Sequence, residues 1–122
     1  FNNAKKFGAH IILAREIKEN GWKASIDEAI AVAFKDTEQV YITICADALD
    51  ASCMPQGPQD MCGLSSYELC MMVHEAGLYG AKGFDFVEIY PDVLSYQTAS
   101  HDACWAALYY LNGLAEYKKN QA

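Results

Sequence analysis

One stretch constrains the fold more than any other: residues 40–50, Val-Tyr-Ile-Thr-Ile-Cys-Ala-Asp-Ala-Leu-Asp, an apolar, β-branched run that ends abruptly in a thiol and two carboxylates. A near-continuous apolar run of this length reads as a buried parallel strand, because a half-solvated antiparallel strand would alternate. In an open α/β sheet, ligands gather outside the carboxyl ends of the strands. Cys45, Asp47 and Asp50 fall at that end. Cys45 and Asp47 are two residues apart and can leave an extended chain on one side, with Asp50 farther on in the loop.

The segments on either side alternate in character. Residues 2–7 followed by Gly8 read as the last turns of a helix with a glycine stop. His-Ile-Ile-Leu-Ala at 10–14 is expected to be a short strand, and residues 15–20 before Gly21 a brief helical turn. Ser25-Ile-Asp-Glu28 has the form of a capping box, opening a helix with Ile26, Ala29, Ile30, Ala33 and Phe34 on one face. Residues 35–38 break it, and the organising strand follows. A long loop with two Pro and two Gly runs from 51 to 63, a length that often marks a functional loop. Ser65 and Glu68 repeat the capping-box pattern, and Tyr67, Cys70, Met71 and His74 form a helical stripe ended by Gly77. Gly-Phe-Asp-Phe-Val-Glu-Ile-Tyr-Pro at 83–91 is a third strand, with Glu88 near its carboxyl end. An acid there is either buried and functional or at a solvated rim. Residues 98–119 make a long helix rich in Ala and Leu, with Lys118 and Lys119 at the negative end of its dipole.

Strand and helix in alternation imply an α/β fold, a three-layer α/β/α arrangement with a parallel sheet. Residues 1–122 are expected to be one domain, a carboxyl-terminal portion with about three strands and three to four helices. A chain opening on Phe1 and on the end of a helix is expected to continue upstream. His10, with no partner ligand nearby in sequence, and His74, within the helical stripe, read as structural rather than as ligands, and His101 is a weak candidate with no motif around it. No Gly-rich phosphate loop or Ser-His-Asp pattern is present.

A net charge of −7 without a basic cluster argues against nucleic acid or an anionic membrane as partner. No apolar run is long enough to span a bilayer. Five cysteines, at 45, 53, 62, 70 and 104, form no Cys-x-x-Cys pair and cannot all pair within one chain, so reduced thiols in a cytoplasmic protein are expected.

The 40–50 run, the loop closing in Cys-Gly-Leu-Ser, and Phe-Asp-Phe-Val-Glu-Ile-Tyr-Pro ahead of Gln-Thr-Ala together resemble the carboxyl-terminal part of the ureohydrolase superfamily of arginase, agmatinase and formiminoglutamase. That family shows a strand ending Ser-x-Asp-x-Asp-x-x-Asp-Pro, a Pro/Gly loop closing in Gly-Gly-Leu, a helix, and a strand ending Glu-x-x-Pro. The resemblance runs the length of the chain and, in detail, is nearer the formiminoglutamases than the arginases. It implies a two-manganese cluster that activates water for attack on an amidine carbon, and a small cationic amidine or guanidine substrate held by an acid. Position by position, Asp47 matches the second metal ligand, Glu88 the substrate-contacting acid, and Cys45 stands where the first, bridging Asp belongs. Asp50 matches the third acid, with Ala51 in place of the usual Pro.

The family's other ligands lie upstream, in Gly-Gly-x-His and Asp-x-His-x-Asp motifs that do not occur in these 122 residues. Cys45 would offer a soft thiol where manganese prefers carboxylate. No catalytic residue is therefore assigned within this chain, and the chain alone is expected not to catalyse hydrolysis. A sheet edge left open should be covered by self-association, giving a homo-oligomer. Two further readings stay open: a degenerate, non-catalytic assembly or regulatory subunit, and a small α/β binding domain whose motif match is accidental. Asp47 could also do no more than cap the turn after the strand.

Overall fold

The structure, a computed structural model, describes residues 2–54, 61–90 and 96–122, with side chains in the last stretch described from Ala99 onward. In chain order the described elements are α1 (Asn2–Lys6), α2 (Ala14–Asn20), α3 (Trp22–Ala33), β1 (Tyr41–Cys45), a 3₁₀ turn (Ala46–Ala48), α4 (Ser66–Leu78), β2 (Gly83–Val87) and α5 (Tyr96–Gln121). β1 and β2 pair in parallel, with Tyr41 opposite Gly83 and Cys45 opposite Val87, and α4 makes the crossover between them. The fold is α/β with a parallel sheet, as expected.

The strand count differs. Residues 10–13 form no strand and pair with none among the described residues, so two strands stand where about three were expected. Their place is set by the helix that follows: the Leu13 amide donates to the Glu16 carboxylate at 2.6 Å, which starts α2 at Ala14. The described helices number five against three to four.

Alternation of side chains divides the sheet into two unlike faces. Ile42, Ile44, Phe84 and Phe86 pack into one core with Leu69 and Val73 of α4 and Ala106 and Tyr110 of α5. Phe84 stacks on Tyr110 with ring centroids 5.1 Å apart, and the Tyr110 hydroxyl donates to the Ala81 carbonyl at 2.6 Å. On the opposite face Tyr41, Thr43 and Val87 are open to solvent. The Thr43 and Tyr41 hydroxyls donate to Asp85 at 2.6 and 2.8 Å, and these bonds hold its carboxyl below the usual range, Thr43 contributing most. A Cβ at Gly83 would meet the Tyr41 ring at 2.2 Å, so the ring lies across the glycine.

Helix boundaries follow local chemistry. Ser65 caps α4: its hydroxyl accepts from the Glu68 amide at 3.2 Å, while the Glu68 carboxylate accepts from the Ser65 amide at 2.8 Å and binds Lys18 of α2. The box expected at Ser25 does not form. α3 starts four residues earlier, at Trp22 with Gly21 as its cap, and the buried Ser25 hydroxyl donates back to the Gly21 carbonyl at 3.1 Å. Gly77 does not end α4 either; the helix runs on to Leu78, and Gly80, with φ of 85°, follows the turn. The buried side of α4 is Leu69, Val73, Ala76 and Gly77, while Tyr67 is exposed and stands edge-on to Trp22. Gly77 and Gly113 mark the close crossing of α4 and α5, where a Cβ on either would run into the backbone of the other helix. Ala99 and Ala106 are fully buried on α5, whereas Trp105, Leu108 and Leu111 are about half exposed. No described helix is long and apolar enough to cross a membrane.

Candidate functional site

β1 and β2 finish level, because Cys45 and Val87, their last residues, are register partners. Beyond Cys45 the chain turns through Ala46–Ala48, with Ala46 fully buried and Asp47 exposed at the surface. Cys45, half-buried, holds the cap position of that turn, which Asp47 therefore does not. Beyond Val87 the chain leaves the strand at Glu88, whose φ of 60° is left-handed. For a residue with a Cβ that conformation costs about 1–2 kcal/mol and is held only by its surroundings. Glu88 lies at the solvated rim, so the buried position considered from the sequence is not the one observed.

Tyr90 completes the group. Its hydroxyl donates to Glu88 Oε2 at 2.7 Å. The phenol pKa is raised, chiefly by this bond and the Glu88 charge, then by burial and by the charges of Asp47 and Cys45. Tyr90, Glu88, Asp47 and Cys45 thus stand at the ends of two neighbouring strands. The resemblance singled out three of them; Tyr90 was missed. Nothing in the sequence marked it, because the left-handed turn at Glu88 breaks the extended period by which residues two apart share a side.

Asp50 does something else. Its carboxylate accepts from the Ser52 hydroxyl, from the Ser52 amide at 2.9 Å and from the Cys62 amide at 2.6 Å. Those bonds hold its pKa low, the Ser52 hydroxyl foremost. Leu49 and Leu64 form a parallel bridge beside it, with the Asp50 amide donating to Leu64 O at 2.9 Å. A Cβ on Gly63 would lie 2.5 Å from the Asp50 backbone nitrogen, so only glycine fits this approach. Asp50 closes the stem of the 51–63 loop; residues 55–60 of that loop, and Pro91, lie outside the described residues.

Among the described residues no three His, Cys, Asp or Glu side chains come together to hold a metal ion. Asp47 offers a hard oxygen and Cys45 a soft sulfur, a pair that does not by itself fit a two-manganese centre. The histidines are elsewhere: His10 meets Glu28 at 2.7 Å, His74 approaches Glu116 at 3.6 Å, and His101 lies against Trp105.

Comparison with known proteins bears on the family and the fold. The sequence model of the arginase family matches residues 1–111. Formimidoylglutamase of Halalkalibacterium halodurans is 26% identical over 115 residues, 90% of this chain and 35% of that protein. The crystal structure of formimidoylglutamase from Bacillus subtilis superposes with a TM-score of 0.84 at 28% identity, over 93% of this chain and 36% of that one. Arginase from Bacillus caldovelox shares the fold, with a TM-score of 0.76 at 21% identity over 92% of this chain and 38% of its own. This chain spans about a third of the length of the formimidoylglutamases it matches. With the family model covering most of its residues, the chain belongs to the arginase family.

Proposed function

We propose that these residues form the carboxyl-terminal part of a hydrolase that cleaves the C–N bonds of linear amidines, with formimino-glutamate first among the substrates and arginine or agmatine after it. The observation that carries the reading is the placement of Cys45 and Asp47 at the end of one parallel strand and of Glu88, bonded by Tyr90, just beyond its neighbour, the two strands ending level. Glu88 would hold the cationic amidine by charge-assisted hydrogen bonds. Asp47 is the carboxylate this chain would bring to a metal, and Cys45 occupies the neighbouring ligand position. Because that pair does not fit two manganese ions, the remaining ligands must come from outside the described residues, and no step is assigned to a metal here.

Chemistry and fold support two more parts of the reading. β1 pairs on one edge only among the described residues, and a groove of about 430 Å³ lies among α3, β1 and α4, lined by Ile30, Phe34, Ile42, Leu69 and Met72 among others. We propose that a second copy covers it, giving a homo-oligomer. All five cysteines are free, which suits a reducing cytoplasm.

The test is an assay of ammonia, formamide and urea release from formimino-glutamate, arginine and agmatine, with metal analysis and light scattering. The 122-residue chain should release nothing and hold less than one manganese ion, and should scatter as an oligomer. The longest protein expressed from the locus should hydrolyse one of the three. Hydrolysis by the short chain would overturn the need for outside ligands, and a monomer would overturn the edge pairing. A longer protein that binds metal without hydrolysing any amidine would favour the second reading, a non-catalytic subunit. Cys45 at the bridging position and Ala51 in place of Pro are the observations on its side.

A further inference from the structure

We propose that Tyr90 is a positioning residue for Glu88, fixing the carboxylate so that a carboxylate oxygen and the phenol oxygen together form one acceptor edge for a planar cation with two N–H donors. The inference rests on the reading of Glu88 as the substrate-contacting acid. An exposed Glu side chain samples many rotamers, and a ligand that needs one of them must first select it. Here two constraints do this in advance. The left-handed backbone at Glu88 sets the direction in which its side chain departs, and the Tyr90 hydroxyl, 2.7 Å from Oε2, holds the carboxylate from the next residue but one.

The donor is itself well suited to the ligand. A phenol that gives its proton to a carboxylate keeps two lone pairs and accepts from a cation at the same time. An amidinium or guanidinium presents two coplanar N–H bonds and can meet Glu88 and Tyr90 together. A tetrahedral ammonium group offers no such parallel pair and gains little from the arrangement. Tyr90 therefore contributes selectivity for planar amidine-type cations as well as affinity. Cys45 and Asp47 stand at the level end of the neighbouring strand.

The experiment is an NMR titration of the 122-residue chain with formamidinium chloride and, at matched ionic strength, ammonium chloride, following residues 45–48 and 87–90. Wild type, Tyr90→Phe, Tyr90→His and Glu88→Gln are compared, with thermal melts of each. Tyr90→Phe should weaken formamidinium binding about three- to tenfold, the range for loss of one ordinary hydrogen bond, because solvent at this exposed site screens the charge. Ammonium binding should change less than about twofold by the same reasoning, and Tyr90→His, which restores a donor, should recover part of the loss. Unchanged formamidinium binding in Tyr90→Phe, alongside a clear loss in Glu88→Gln, overturns the role of Tyr90 and leaves Glu88 as the acid. A loss that extends equally to ammonium, or that Tyr90→His does not relieve, marks a general structural role and also overturns it. If Glu88→Gln binds formamidinium like wild type, or wild type does not bind it, the reading of Glu88 falls and takes the proposal with it.

Discussion

The contact most exposed to a single methyl group is the crossing of α4 and α5. A Cβ added at Gly77 would sit 2.3 Å from the Tyr110 carbonyl oxygen and 2.9 Å from the Leu114 amide nitrogen. Both are backbone atoms within a regular helix, so neither can swing away. An ordinary carbon–oxygen contact is about 3.3 Å, and the helices would have to part by about 1 Å to restore it. Parting them pulls Tyr110 from its stack on Phe84 and from the Ala81 carbonyl. Overpacking costs about 1–3 kcal/mol and more against immobile atoms, while Ala in place of a helical Gly returns about 1 kcal/mol, leaving Gly77→Ala destabilised by about 2 kcal/mol. At about 2.1 cal/mol/K of unfolding entropy per residue, 122 residues give about 0.26 kcal/mol/K, so the melting temperature should fall by about 8 °C. Circular dichroism melts and urea titrations measure this directly. Gly113→Ala, whose Cβ would meet His74 O at 2.1 Å, should behave alike. The double variant should lose less than the sum, because the first methyl has already opened the gap. A Gly77→Ala protein melting at or above wild type would refute the account of how α4 and α5 meet.

Three further substitutions test separate parts of the frame. Ser65→Ala removes the cap of α4 and should cost about 1 kcal/mol in urea unfolding, with α4 amides exchanging faster at Ser66–Glu68 than elsewhere in the helix. Tyr110→Phe leaves the buried Ala81 carbonyl without its 2.6 Å partner and should cost about 1–2 kcal/mol, read as a lower urea midpoint. Asp50→Asn should weaken the loop stem in a pH-dependent way. The Asp50 pKa is lowered in the folded chain, so its contribution is complete above its unfolded value of about 3.9 and fades as pH falls through the folded value. The gap in urea midpoint between wild type and Asp50→Asn should therefore be wide at pH 6 and close toward pH 2; a gap that stays constant would contradict the role given to Asp50.

Sequence patterns revealed what local chemistry decides. The apolar run before Cys45 became β1, the Ser65–Glu68 box capped α4, and Gly8 followed α1 with φ of 83°. The errors arose where a distant partner decides. Residues 10–13 have the composition of a strand, but composition cannot supply a neighbour to bond, and the described residues contain none. Ser25 and Glu28 have capping spacing, yet Gly21 already served as the cap and turned Ser25 into a buried helical residue. Gly77 looked like a stop because the close pass of α5, some thirty positions later, leaves no mark in the local pattern. At the candidate site, resemblance gave Cys45, Asp47 and Glu88, but Tyr90 and the left-handed turn at Glu88 belong to the geometry that joins them.

The stem beneath the 51–63 loop also bears on how such a site can be retuned. Leu49 is bridged to Leu64, the Asp50 carboxylate spans from Ser52 to Cys62, and Met54 is sealed into the core. The stretch between Met54 and Met61 is thus mounted on two anchored posts. Closing a longer loop between fixed ends costs only about 0.6 kcal/mol for each doubling of its length. Changes of sequence or length between those posts should therefore leave the sheet, and the level strand ends at Cys45 and Val87, untouched.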